Sequence, residues 1–158
     1  MIKYLFSILF LINTGYSLEV SCNFEEVYGN GDVQQGLLLL KGQKLRYEYF
    51  DASLFTIIAK DGSFFLINKR QKDHVQKIDK NTDILEILMN IAADFPDINE
   101  SYELEEAKLK IEKNNNNFVK RVSIDSENLN VSINIVECVF ETIDNKYFNH
   151  FNFEKYRR

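Results

Sequence analysis

Apolar and polar residues alternate through most of this chain with the two-residue period of a strand that buries one face. From Leu18 to Tyr28 the period puts Leu18, Val20, Cys22 and Phe24 on one side and Glu19, Ser21, Asn23 and Glu25 on the other. Gly29-Asn30-Gly31-Asp32 is a turn, because its residues tolerate positive φ or bond their own backbone. Val33 to Lys41 follows as a strand whose Leu37 to Leu40 run is apolar on both faces, so both faces must be covered. Gly42-Gln43 returns the chain into Lys44 to Phe50, where Leu45, Tyr47 and Tyr49 share one face and Lys44, Arg46 and Glu48 the other. Asp61-Gly62 joins Leu54 to Lys60 with Ser63 to Asn68, and His74 to Ile78 is one more short strand. Connections this short make neighbours antiparallel.

The period then changes. Asp83 is placed as an N-cap with Glu86 three residues on, and Ile84, Leu88, Ile91 and Phe95 fall at helical spacing, widened by Leu85, Ile87, Met89 and Ala92, until Pro96 ends the helix. Asp97 to Glu106 is acidic and reads equally as helix or loop. Strands resume over Leu104 to Lys113, Phe118 to Ile124, Leu129 to Ile143 and Tyr147 to Glu154. In the long strand the apolar positions are Leu129, Val131, Ile133 and Ile135, then Val136, Cys138 and Phe140, so the face switches near Ile135 and a bulge is expected there. The fold class is mainly β with helix: a strongly curved antiparallel sheet with one nearly all-apolar helix.

The first residues do not fit this scheme. Lys3, the apolar run Tyr4 to Ile12, and the small residues Gly15 and Ser17 form a secretory signal peptide over residues 1–17, leaving 18–158 as a single domain. The apolar run is too short to span a bilayer, and export without an anchor is expected. With 24 acidic against 19 basic residues the chain carries a net charge of −5, and nucleic acid is a poor partner. Aromatic residues make up 13% with no Trp and a single Pro, a composition that favours strands.

No arrangement of residues reads as an active site or a metal site, and no cofactor is expected. His74 and His150 lie far apart in strand-edge surroundings and read as surface histidines. Glu103, Glu105 and Glu106 read as a solvated face. Cys22 and Cys138, the two cysteines, fall on apolar-leaning faces. They are open to two readings, a disulfide favoured by export or a pair of small buried hydrophobes.

The segment running from Gly36-Leu37-Leu38-Leu39-Leu40-Lys41 through Lys44-Leu45-Arg46-Tyr47-Glu48-Tyr49 and Ile57-Ile58-Ala59-Lys60-Asp61-Gly62-Ser63-Phe64-Phe65-Leu66-Ile67-Asn68 to Val75-Gln76 resembles the periplasmic lipoprotein carriers of the LolA type. Phe24 and the Phe148 to Phe153 region are similar to that family's flanking signatures. The resemblance implies an incomplete, unclosed antiparallel β-barrel with an apolar concave face plugged by a helix. It implies a non-enzymatic periplasmic carrier that binds the acyl chains of lipoproteins and shuttles them from the inner to the outer membrane. An inner-membrane ABC transporter would be the donor and an outer-membrane lipoprotein the acceptor, with the carrier a monomer. On this reading Leu38, Leu40, Leu45, Tyr47, Tyr49, Ile57, Phe65 and Ile67 line the cavity, and Lys41, Leu85, Leu88 and Met89 belong to the plug or lid. Lys41-Gly42 stands where the family carries an Arg-Pro pair, and a strand begins the mature chain where the family has an amphipathic helix. The alternative on the same fold is an envelope module that binds or senses lipid or lipoprotein without transporting it.

Overall fold

The computed structural model describes residues 19–71, 74–78, 91, 98–103, 107–116 and 118–151. Among these, ten strands form one antiparallel sheet: β1 (Glu19–Tyr28), β2 (Val33–Lys41), β3 (Lys44–Tyr49), β4 (Phe55–Lys60), β5 (Ser63–Asn68), β6 (Val75–Ile78), β7 (Ser101–Glu103), β8 (Ala107–Lys113), β9 (Val119–Ser126) and β10 (Asn130–Phe140). Their order across the sheet is β6-β5-β4-β3-β2-β1-β10-β9-β8-β7. Two meanders therefore meet at a central seam where the first strand pairs with the last, Phe24 opposite Ile135 and Tyr28 opposite Val131. The sheet is not closed into a barrel; β6 and β7 are its edges.

Turn chemistry sets the register. Asp61 and Gly62 both have positive φ, as a two-residue hairpin with the right twist requires, and Lys60 pairs with Ser63 on either side of them. Gly42 does the same between Lys41 and Lys44. The phase switch in the late strand is a bulge between Ser21 and Asn23 of β1, opposite which β10 carries one extra residue. Glu137 takes a left-handed φ of 51° there, and its carboxylate accepts a hydrogen bond of 2.7 Å from Asn23 Nδ2.

Each face of the sheet has its own core. On the concave side Phe24, Leu109, Ile111, Val122, Ile124, Val131 and Ile133 are buried together with Ile91 and Ile98, and Val20, Cys22 and Leu40 continue this layer. On the convex side Leu37 and Leu39 pack against Ile143 and Phe148. The Leu37 to Leu40 run is thus covered on both sides.

Several elements differ from the sequence expectation. Residues 145–148 form a 3₁₀ turn (Asn145–Phe148) capped by Asp144, not the start of a strand. This segment lies back over the convex face, because Phe148 has an apolar site there beside Leu37 and Leu39. The late strand ends at Phe140, short of Ile143, and the ambiguous acidic region contains the short edge strand β7. Among the described residues helix is confined to Ile91 and the 3₁₀ turn. The expected signal peptide, residues 1–17, and the expected plug positions Leu85, Leu88 and Met89 lie outside the described residues.

Candidate functional site

Side chains of one parity on every central strand converge on a cavity of about 290 Å³ in the concave face. Its wall is built from Leu38 and Leu40 of β2, Leu45 and Tyr47 of β3, Ile57 of β4 and Phe64 of β5 on one side of the seam. Val122 and Ile124 of β9 and Val131, Ile133 and Ile135 of β10 form the other, with Ile91 also against the space. The volume sits at the lower end of small-molecule pockets, which run from about 300 Å³ upward.

One carboxylate interrupts this apolar wall. Glu26 of β1 is only 5% exposed and lines the cavity with Tyr28, Tyr47 and Tyr49. The three hydroxyls donate to it: Tyr47 to Oε1 at 2.6 Å, Tyr28 to Oε2 at 2.7 Å, and Tyr49 to both oxygens at 3.0 Å. Three hydroxyl donors, that of Tyr49 shared between the two oxygens, satisfy the carboxylate, which is what allows it to be buried in an apolar wall. The tyrosines respond to their surroundings. Burial first, then the hydrogen bond to and the charge of Glu26, push Tyr28 up to about 12. Tyr47 and Tyr49 are raised as well, again by burial first and then by the charge of Glu26.

Packing below the tyrosines fixes their position. The Phe24 ring stacks on Tyr47 with centroids 3.9 Å apart and meets Tyr49 edge-on at 5.5 Å. Phe24 pairs across strands with Gly36, and a Cβ at Gly36 would come within 2.3 Å of the Phe24 ring. The glycine that begins the leucine run therefore makes room for the ring that supports the cluster.

Tyr28, Tyr49 and Leu129 also face outward, into a wider vestibule of about 540 Å³ at the end of the sheet. Its walls are the β1–β2 turn with Asn30 and Asp32, Gln34, Leu54 and Phe55, and Asn128 and Asn130 from the β9–β10 connection. The tyrosine–glutamate cluster thus forms a polar collar between an amide-rich vestibule and an apolar cavity. Neither space is lined by a lysine or arginine among the described residues.

Of the eight lining residues expected from the sequence, Leu38, Leu40, Leu45, Tyr47, Tyr49 and Ile57 come together at the cavity. Phe65 and Ile67 do not. In the hairpin Ile58 pairs with Phe65 and Ala59 with Phe64, so parity inverts across Asp61-Gly62 and Phe64 takes the cavity position. Phe65 instead stacks on His150 on the other face, with centroids 4.0 Å apart. Lys41, expected at a lid, also lies on the convex side. It forms an ion pair of 3.1 Å with Glu19 and donates to the Ile143 carbonyl at 2.6 Å, anchoring the C-terminal segment. Cys22 and Cys138 are joined by a disulfide across the bulge, with Cα atoms 4.0 Å apart, at the rim of the cavity. Glu26 and Tyr28 are absent from the residues expected at the site. Among the described residues no three His, Cys, Asp or Glu side chains gather where they could hold a metal ion.

No protein-family model matches this chain. No curated protein sequence matches it either. Among solved structures it is similar to a LolA superfamily protein from Nitrosomonas europaea, at 7% sequence identity and a TM-score of 0.48, over 84% of this chain and 90% of that one.

Proposed function

We propose that this protein is an exported, periplasmic carrier that shelters the acyl chains of lipoproteins in its concave cavity and shuttles them between the two membranes of an envelope. The observation that carries the reading is the cavity itself: unfilled space walled by leucine, isoleucine and valine from both halves of the sheet, at the place where a domain without a ligand would be close-packed. An acyl chain entering it gains about 0.8 kcal/mol per buried methylene, enough for about a dozen methylenes to hold a chain out of water. The resemblance of the Gly36 to Gln76 segment to the LolA-type carriers agrees with this chemistry. Donor transporter and acceptor lipoprotein are the partners this reading requires.

Two measurements test it. A neutral fluorescent acylglycerol should be taken up by the purified protein, and Leu45→Glu, which puts a charge into the wall from a partly exposed position, should weaken uptake at least tenfold. Membrane vesicles loaded with a triacylated lipoprotein should then release it into the soluble fraction with the protein and pass it to acceptor vesicles. Uptake without transfer identifies the binding or sensing module instead, and absence of uptake rejects the cavity as a lipid site.

A further inference from the structure

The collar adds a selectivity rule to the carrier reading and depends on that reading being right. Glu26 accepts from three tyrosine hydroxyls, that of Tyr49 lying 3.0 Å from both oxygens. Hydroxyl donors satisfy its hydrogen bonding but leave its negative charge in place. Among the described residues no lysine or arginine lines the cavity or the vestibule, and Asp32 adds a second carboxylate on the vestibule side. The contrast with anion-binding sites is direct: those present arginine, lysine or converging N–H groups. The vestibule presents side-chain amides instead, from Asn30, Gln34, Asn128 and Asn130, which can both donate and accept.

We propose that the ligand is an amphiphile with an uncharged or cationic polar end, held in the vestibule while its chain passes the collar into the cavity, and that Glu26 excludes amphiphiles whose polar end is anionic. An ester- and amide-linked acyl terminus on a protein meets this description, and a free fatty acid does not. Charge repulsion across a collar shielded from solvent is screened far less than at an open surface, so the discrimination survives physiological salt.

Three probes with one chain length separate the possibilities: monolauroylglycerol, dodecyltrimethylammonium and laurate, each titrated at pH 8 below its micelle concentration by displacement of the neutral fluorescent acylglycerol. The neutral and cationic probes should bind at least tenfold tighter than laurate in the wild-type protein. Glu26→Gln keeps the shape and should bring laurate to within about threefold of the neutral probe, and Asp32→Asn, at an exposed turn position, should narrow the gap by a smaller factor. Equal binding of all three by the wild-type protein overturns the proposal while leaving the carrier reading intact. So does a gap that both variants leave unchanged. Failure of every probe to bind overturns the carrier reading and this one with it.

Discussion

Glu48 and Glu26 lie on opposite faces of the same sheet and are buried to nearly the same degree, 7% and 5% exposed. Their surroundings differ in kind. On the convex face Glu48 is met by cations: Arg46 reaches Oε2 at 2.7 Å and Lys69 approaches Oε1 at 3.5 Å. Arg46 also donates to the Tyr147 carbonyl at 2.9 Å, and Lys69 to the Tyr49 carbonyl, so the charges tie the C-terminal segment and a neighbouring strand to the sheet. On the concave face Glu26 is met, among the described residues, by hydroxyls alone and borders open space. A buried carboxylate neutralised by cations holds structure together, whereas one that keeps its charge beside a cavity shapes what the cavity accepts. The two faces have divided these tasks between them.

Reducing the Cys22–Cys138 bond is the most forceful way to break the comparison, because it joins strands that both faces share. With the cysteines separated by 116 positions in sequence, chain entropy gives a loss of about 5 kcal/mol. Urea unfolding with and without reductant should show the midpoint fall accordingly, and an unchanged midpoint would contradict it.

Next in size, Arg46→Leu removes the cation from a buried carboxylate and the donor to Tyr147, and should destabilise by about 3 kcal/mol. Glu26→Gln retains an acceptor and offers an amide to hydroxyls that can turn to accept it, so its loss should stay near about 1 kcal/mol. Chemical denaturation of both variants under one condition sharpens the contrast. Equal losses would mean that the two glutamates serve the same purpose.

The smallest effect belongs to His150, stacked on Phe65 with its Nδ1 buried and without a hydrogen-bond partner among the described residues. Burial, and then the charge of Lys60, lower its pKa from the ordinary 6.5. Unfolded chains therefore take up the proton first as pH falls. The stability contributed by the neutral ring is complete above about pH 6.5, declines below it, and levels off once pH passes the depressed folded value. Subtracting the pH profile of His150→Asn from that of the wild-type protein should isolate this decline. A difference that does not change between pH 7 and 5 would show that the ring titrates as if exposed.

Much of this architecture is written in short-range signals. The turns at Gly42-Gln43 and Asp61-Gly62, the doubly covered leucine run and the phase switch ahead of Cys138 all appear in the sequence and in the sheet. Phe65 and Ile67 fall on the wrong face in the sequence expectation because a two-residue turn inverts the parity of the strand after it. That rule carries Leu38 and Leu40 correctly to Leu45 and Tyr47, and applied again it yields Phe64. Glu26 was legible too. Continuing the alternation of Val20, Cys22 and Phe24 by one step puts a carboxylate on the apolar face, a conflict that marks a site. The burial of Arg46 and Glu48 was not legible, since it depends on a C-terminal segment returning across more than ninety residues of chain to cover them. No local period encodes that distance.

The pairing of β1 with β10 also governs the order in which the molecule can be assembled. Whether the polypeptide emerges from a ribosome or is threaded through a pore, its first strand arrives when only β2 can join it, and one edge of β1 stays without a partner until residues near 140 arrive. Hairpins form in about 1–10 μs, but this seam waits for nearly the whole chain and then needs a closure of high contact order. During that interval a row of unsatisfied amides beside Phe24 is open to strands of other chains. Successful production of this protein therefore depends on keeping half-delivered chains apart, and its vulnerability to aggregation ends abruptly when the last strand docks.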